Sequence, residues 1–173
     1  MTILWITLAL VAAQRLGELV YAARNTRRLL ARGAVEIGRN HYPLFILLHG
    51  GWLVAMAMLI PASAAPSWPL LALFLLLQAG RLWVVATLGP YWTTRIITLP
   101  AAPLVARGPY RFVRHPNYLV VTGEIAVLPL AFGAWQIALV FSVLNALLLF
   151  WRIRIENGVL ATRARGAGLT PLA

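Results

Sequence analysis

Five long apolar stretches constrain the fold of this chain more than any other feature of its sequence. They cover residues 3–24, 43–60, 68–88, 118–132 and 135–151. A helix that crosses the hydrocarbon layer of a membrane needs about 17 to 25 mostly apolar residues. The fourth stretch is short, and Pro129 near its end favours a tight hairpin through residues 132–134. The sequence therefore predicts an all-α polytopic membrane protein with about five transmembrane helices.

The composition argues against a water-soluble protein. Hydrophobic residues make up 61% of the 173 residues and charged residues only 11%, whereas soluble domains carry about 25% charged residues. A soluble nucleic-acid-binding protein would use the net charge of +11, but it would leave the apolar stretches exposed to water. No nucleic acid partner is therefore expected. We expect a single domain over residues 1–173, and the sequence leaves the oligomeric state open.

The residue types also exclude several kinds of site. The chain has no cysteine, which rules out disulfides, thiolate metal ligands and a cysteine nucleophile. Its three histidines, His41, His49 and His115, lie on different segments without the spacing of metal ligands, so no metal site is predicted.

The arginines predict an orientation in the membrane. Thirteen of the fifteen follow the first, third or fifth apolar stretch, and loop 61–67 and the hairpin at 132–134 carry none. Cytoplasmic connections are enriched in basic residues, so we expect the N-terminus outside and the C-terminus in the cytoplasm. Arg154 and Arg163 are expected to contact anionic membrane lipids.

Polar side chains inside the apolar stretches fall almost entirely in the predicted cytoplasmic half. They are Arg15, Glu18, His49, Gln78, Arg81, Glu124 and Asn145. A charged residue in mid-bilayer costs about 2.5 to 3.5 kcal/mol, so the shared depth predicts one polar cavity that opens to the cytoplasm. The alternative is structural: Arg15 and Glu18 neutralise each other, Arg81 extends to the interface, and His49 and Asn145 hydrogen-bond neighbouring helices.

The fifth stretch places charged residues on one helical face. Asn145, Leu149, Arg152, Glu156 and Leu160 follow helical spacing along a helix that leaves the membrane into the cytoplasm. Arg152 and Glu156 should therefore project together. They form either an ordinary surface ion pair or a charged wall over the mouth of the cavity.

A polar block precedes the fourth stretch. Pro116 disfavours helical geometry at His115 and suits the first position of a helix, so the fourth helix should begin at Pro116. Its free N–H groups would favour an anion, and Arg111 and Arg114 would strengthen that field. His115 and Tyr118 could donate hydrogen bonds or stack on a base. The alternative is a common arginine-rich loop before a proline-started helix.

Two blocks in this order carry a family resemblance. Gly108-Pro-Tyr-Arg111 and Arg114-His-Pro-Asn-Tyr118, followed by a hairpin and Arg152-Ile-Arg-Ile-Glu156, resemble the isoprenylcysteine carboxyl methyltransferase (ICMT) family. The resemblance covers about residues 91–160, is strongest to short bacterial members that are sometimes associated with lipidic polyketide pathways, and extends to phospholipid methyltransferases. It implies a membrane enzyme that uses S-adenosylmethionine, with helices 1 to 3 in residues 1–90 and a cofactor-binding half in residues 91–173.

The resemblance also implies roles for individual residues. Arg152 and Glu156 would be catalytic. The expected cofactor-binding residues are His115, Tyr118 and Glu156, which match the family pattern, together with Tyr110, Arg114, Pro116, Glu124 and Asn145. The chain departs from the family at Asn157, where a second glutamate is usual, and this departure puts the identity of the acceptor in doubt.

The expected reaction is methylation of a lipophilic small-molecule or lipidated acceptor at the cytoplasmic face, with a carboxyl methyl ester as the first expectation. A phenolic or pyrone hydroxyl, or a phospholipid amine, remains an alternative acceptor. A hydroxyl would need a base, and Glu156, His115 and His49 are candidates. Two functions other than catalysis stay open, namely a small transporter and a partner subunit.

Overall fold

The computed structural model describes residues 2–39, 42–99 and 105–166, and residues 159–166 by their backbone alone. His41 lies outside these ranges. The side chains of Leu160, Arg163 and Arg165 also lie outside what the structure describes, so their predicted roles stay predictions.

Five α-helices form most of the described chain, as the sequence predicts. They are α1 (Ile3–Ala31), α2 (Tyr42–Leu59), α3 (Trp68–Leu88), α4 (Pro116–Ala131) and α5 (Trp135–Gly166). Four of them are long and apolar enough to cross a membrane. The exception is α4, whose 16 residues span about 24 Å at 1.5 Å per residue, less than the hydrocarbon thickness of about 30 Å.

Two glycines end helices in the same way. Gly33 after α1 and Gly133 after α4 have positive φ angles of 86° and 74°. In each case the next residue donates its N–H five residues back, from Ala34 to Leu29 and from Ala134 to Pro129. This is the Schellman motif, which satisfies the last carbonyl groups of a helix. It closes the hairpin predicted between the fourth and fifth helices, and it ends α1 at Ala31, seven residues beyond its apolar stretch.

A short antiparallel sheet, which the sequence does not predict, joins two connections. Strand β1 (Val35–Ile37) pairs with β2 (Ile96–Thr98), with Glu36 opposite Ile97. Below the strands, Nη1 of Arg95 lies 3.1 Å from Oε2 of Glu36, whose side chain is largely buried. Because of this pairing, the arginine-rich connections after α1 and α3 lie at the same end of the bundle.

The opposite end of the bundle has an apolar core. Trp52, Met56, Phe74, Ile125 and Leu128 are all nearly inaccessible to solvent there. Close packing of α3 on α4 runs from this core toward the sheet: a Cβ atom added at Gly123 would lie 3.0 Å from Leu77. The buried polar side chains therefore lie in the half of the bundle nearer the sheet.

Four charged side chains form a buried network, here called the four-charge cluster: Arg15 and Glu18 of α1, Arg81 of α3 and Glu124 of α4. Arg81 donates from Nε and Nη2 to the two oxygens of Glu18, each at 2.6 Å, and from Nη1 to Glu124 at 3.2 Å. Nη2 of Arg15 donates to the same Glu124 oxygen at 2.6 Å. The uncharged Gln78 lies beside this cluster and donates a hydrogen bond to the other Glu124 oxygen at 2.8 Å.

This geometry differs from the structural interpretation of these charges in two respects. Arg81 does not extend to the interface, because it is 6% exposed and bonded to both carboxylates. Arg15 lies 3.4 Å from Glu18 and closer to Glu124, so it does not neutralise Glu18 alone. Two positive and two negative charges share one network, and α1 is fixed to α3 and α4 as a result.

A second polar contact fixes α1 nearer the sheet. The buried Asn25 amide donates to the backbone carbonyls of Gly89 and Trp92, both at 3.0 Å. Gly89 begins the turn that follows α3. Helix α1 is therefore attached to α3 and its following turn at two levels.

We expect Glu124→Gln to lower the free energy of unfolding by about 3 to 5 kcal/mol, because loss of one partner leaves a buried charge uncompensated. The double variant Arg15→Gln with Glu124→Gln removes one charge of each sign and keeps the Arg81–Glu18 pair. It should therefore be more stable than the single variant. Denaturant titration in detergent micelles measures both, with the exposed Arg154→Gln as control. A double variant no more stable than the single one would show that charge balance is not what the cluster provides.

The orientation predicted from the arginines is tested by cysteine labelling, because the chain has no cysteine of its own. A membrane-impermeant maleimide should label Ser63→Cys in intact cells and Arg154→Cys only after permeabilisation. Both positions are exposed. The reverse labelling pattern would place the N-terminus in the cytoplasm.

Candidate active site

The site begins at the N-terminus of α4, where Pro116 is the first helical residue as predicted. His115 precedes it with φ −126° and ψ 63°, outside helical geometry, as expected before proline. The chain reaches His115 through a short 3₁₀ turn, Gly108–Arg111. Gly108 has a positive φ, and a Cβ atom there would lie 2.6 Å from Oγ1 of Thr87 on α3. Glycine therefore lets the loop before α4 pack tightly on α3.

Five side chains from the two sequence blocks meet here, and we call them the motif cluster: His115, Tyr118, Arg152, Glu156 and Asn157. The rings of His115 and Tyr118 stack with centroids 5.2 Å apart and an angle of 19° between their planes. The Tyr118 hydroxyl donates to the carboxylate of Glu156 and accepts from Nε of Arg152 at 2.8 Å. Nδ1 of His115 lies 3.7 Å from the same carboxylate. The two blocks thus converge across the hairpin.

Arg152 and Glu156 project together from α5, as their spacing predicts, but Tyr118 bridges them. Arg152 is only 8% exposed. Its guanidinium lies 5.3 Å from the Phe45 ring of α2 and 5.9 Å from the Tyr118 ring. The Glu156 side chain is 29% exposed to solvent. A buried arginine near two aromatic rings, beside a partly open carboxylate, differs from an exposed ion pair. That the two residues form a wall over the mouth of a cavity stays a prediction.

Asn157 belongs to the site, although its sequence position marks it only as a departure from the family pattern. Its Oδ1 atom lies 3.0 Å from Nε2 of His115. An amide oxygen only accepts, so Nε2 carries the hydrogen in this contact. The residue at which the chain departs from the family pattern therefore orients the histidine ring. This role is visible only in the folded structure, where α5 lies beside the loop that precedes α4.

The other predicted cofactor residues lie around the motif cluster or deeper. Tyr110 is half-buried against Trp92. Burial and the Glu156 carboxylate raise the pKa of Tyr110, so its hydroxyl stays a hydrogen-bond donor. Arg114 is exposed, and Pro116 is buried.

Glu124 and Asn145 lie at the deeper level. Glu124 belongs to the four-charge cluster, six residues and about 9 Å along α4 from Tyr118. Asn145 is fully buried, and its amide lies 3.5 Å from the Thr122 hydroxyl. The sequence predicted one polar cavity, whereas the described side chains form two polar clusters at different depths. That Glu124 and Asn145 contact a cofactor stays a prediction.

The motif cluster combines chemical groups that suit a zwitterionic ligand, which carries a positive and a negative charge. Glu156 presents a partly open carboxylate, and Arg152 a guanidinium. Stacked aromatic rings lie beside the N-terminus of α4, whose first N–H groups favour an anion. Oδ1 of Asn117, next to the cluster, is a buried acceptor without a hydrogen-bond partner in the described part of the chain.

Comparison with known proteins matches the region that builds this site. The model of the isoprenylcysteine carboxyl methyltransferase (ICMT) family matches residues 70–162. YpbQ of Bacillus subtilis, an uncharacterized protein, is 37% identical over 160 residues, which cover 90% of this chain and 95% of YpbQ. An uncharacterized protein of Haemophilus influenzae is 28% identical over 163 residues, covering 90% of this chain and 94% of its own length. No solved structure matches the chain.

Proposed function

Because the chain belongs to the isoprenylcysteine carboxyl methyltransferase family, a family of membrane methyltransferases, we propose that it uses S-adenosylmethionine to methylate an oxygen of a lipophilic acceptor. We place the reaction at the cytoplasmic face of a bacterial cell membrane. The observation that carries the proposal is the contact of Tyr118 with both Arg152 and Glu156. All three residues lie in the segment that matches the family.

The groups of the motif cluster fit this cofactor. Glu156 would accept hydrogen bonds from an ammonium group or ribose hydroxyls, and Arg152 would pair with a carboxylate. His115 and Tyr118 provide aromatic surface for the adenine ring. The unpartnered Oδ1 of Asn117 is a further acceptor for a donor of the ligand. When bound, S-adenosylmethionine supplies a methyl group that is activated by a positively charged sulfur.

The chain's own contribution is orientation and exclusion of water. Holding the two reactants in line at contact distance lowers the barrier to reaction by several kcal/mol, and no covalent nucleophile is needed. Tyr118 holds Arg152 and Glu156 at fixed positions. Because α5 continues from the apolar bundle through these residues, an acceptor dissolved in the bilayer and a cofactor from the cytoplasm would meet near the interface.

The acceptor oxygen could be of two kinds, and they place different demands on the protein. A carboxylate, which the family's name implies, is ionised at neutral pH and needs only orientation, for which Arg152 is suited. A hydroxyl must lose a proton and benefits from a base. In the motif cluster the Glu156 carboxylate already accepts a hydrogen bond from the Tyr118 hydroxyl, and Nε2 of His115 is bonded to Oδ1 of Asn157.

Binding of the cofactor is the first test. Isothermal titration of the purified, folded protein with S-adenosylhomocysteine should give saturable binding, and Glu156→Ala should weaken it because the partly open carboxylate is lost. The exposed Arg154→Ala serves as the control and should bind like the wild type. A folded wild-type protein that shows no binding would refute the assignment.

Turnover tests the motif cluster itself. We expect Arg152→Ala and Glu156→Ala to lower the methylation rate by about 100-fold, because small misplacements of reacting groups have effects of this size. Arg154 is exposed and stacks on Phe150 at 4.2 Å, so Arg154→Ala is the matched control on the same helix. Labelled methyl transfer into a membrane lipid extract measures the rate. Equal activity in all three variants would reduce the pair to a structural role.

A further inference from the structure

Four consecutive exposed residues precede the motif cluster in the chain: Arg111, Phe112, Val113 and Arg114, here called the Arg111–Arg114 segment. Phe112 is 72% exposed and Val113 39%. Outside the five helices, Val35 is the only other large hydrophobic residue of the described chain that is exposed to this degree. Water is an unfavourable environment for such side chains, so the segment calls for a partner that is both apolar and negatively charged.

The backbone of this segment is suited to the edge of a membrane. The N–H groups of Phe112 and Val113 both donate to the carbonyl oxygen of Pro109, each at 3.2 Å. Pro109 is buried, which fixes the turn to the protein. Backbone groups without a partner are costly away from water. These two hydrogen bonds therefore let the apolar side chains approach hydrocarbon at little cost.

The length of α4 places the segment at the boundary of the hydrocarbon layer. The 16 residues of α4 span about 24 Å and leave about 6 Å of a layer of about 30 Å to be filled. The far end of α4 is closed by its hairpin to α5, so the residues before Pro116 are available to fill this gap. Arg111 and Arg114 can lay their aliphatic stems on the apolar layer and extend their charges to the headgroups.

The basic side chains inside the bundle have partners within the chain. The arginines of the four-charge cluster are bonded to its glutamates, and Arg152 is bonded to Tyr118. Nδ1 of His49 lies 2.8 Å from the carbonyl oxygen of Phe45, one turn earlier in the same helix. The expectation that His49 hydrogen-bonds a neighbouring helix is therefore wrong. The protein itself supplies the partners of these buried groups.

The arginines of the Arg111–Arg114 segment have no such partner in the described chain. All four glutamates are engaged elsewhere, two in the four-charge cluster, one beside the sheet and one in the motif cluster. None of the ion pairs among the described residues includes Arg111 or Arg114. The Arg111 guanidinium lies 5.1 Å from the Phe112 ring. Because positive charge and apolar surface lie side by side, a lipid anion fits better than a soluble one.

We propose that the Arg111–Arg114 segment binds anionic phospholipid. Phe112 and Val113 enter the edge of the hydrocarbon layer, and Arg111 and Arg114 pair with the phosphates of lipid headgroups. Arg114, one of the expected cofactor residues, then faces lipid. Because His115 follows directly, binding of the segment holds the motif cluster at the depth of the headgroups. The proposal does not depend on which reaction the motif cluster performs.

A fluorescent reporter measures the depth of the segment. The chain has no cysteine, so Val113→Cys can carry the single label in the full-length protein in lipid nanodiscs. We expect lipids that are brominated near the top of their acyl chains to quench this label. Arg28→Cys is the control, because it is exposed near the end of α1, whose 29 residues span about 43 Å and leave the hydrocarbon layer. A label at position 113 that is quenched no more than the control would overturn the proposal.

The apolar contact is tested in the same labelled protein. Phe112→Ser should reduce the quenching at position 113, because the larger of the two apolar side chains is lost. Undiminished quenching would mean that the label itself inserts, and would count against the segment. Phe112 is exposed, so its replacement should not disturb folding, and elution of the variant as a single species in gel filtration checks this.

Lipid composition tests the role of the charges. Replacing part of the phosphatidylcholine by phosphatidylglycerol should raise the ratio of inserted to exposed label by about fivefold for each arginine, and high salt should reverse the rise. Arg111→Gln with Arg114→Gln should abolish the rise. Arg24→Gln with Arg28→Gln lowers the net charge equally, at exposed positions of α1, and should leave it unchanged. A wild-type label indifferent to phosphatidylglycerol, or equal effects of the two double variants, would contradict the proposal.

These measurements need neither cofactor nor acceptor, so they separate the inference from the proposed function. A protein that shows the expected quenching but binds no S-adenosylhomocysteine would support the lipid contact and refute the methyltransferase. A protein that binds S-adenosylhomocysteine while its label at position 113 stays in water would refute the lipid contact alone.

Discussion

Charges buried in an apolar bundle must be paired, and this constraint organises the protein. An isolated ion in a low-dielectric interior costs several kcal/mol, so each arginine of the four-charge cluster needs its carboxylates and each carboxylate its arginines. Those partners lie on α1, α3 and α4. The helix that begins at the motif cluster is therefore the one that carries Glu124, and α1 is held against it by Arg15. The N-terminal part of the chain, outside the family match, supports the part inside it.

The two ends of the bundle serve different purposes. One end is an apolar core around Trp52, Phe74 and Leu128. The other end carries the two polar clusters, the sheet and most of the arginines. This division agrees with an enzyme that opens to one side of the membrane more than with a transporter, because a pathway across the bilayer would need polar groups at both ends.

Local sequence rules predicted the features that depend on neighbouring residues. Apolar length located the helices, Pro116 fixed the start of α4, and helical spacing placed Arg152 with Glu156. Such rules do not predict contacts between residues that are distant in sequence. Arg81 is hydrogen-bonded to Glu18, 63 positions away, and His115 to Asn157, 42 positions away. The strands are three residues each, too short for an alternating pattern to show.

The account depends on the motif cluster being the place where the methyl donor binds. An experimental structure of the full-length protein with S-adenosylhomocysteine tests this most directly. We expect the ligand to lie against the His115 and Tyr118 rings, with the Glu156 carboxylate on one of its donors. A ligand bound elsewhere in the bundle, with these three side chains still engaged only with one another, would contradict the account.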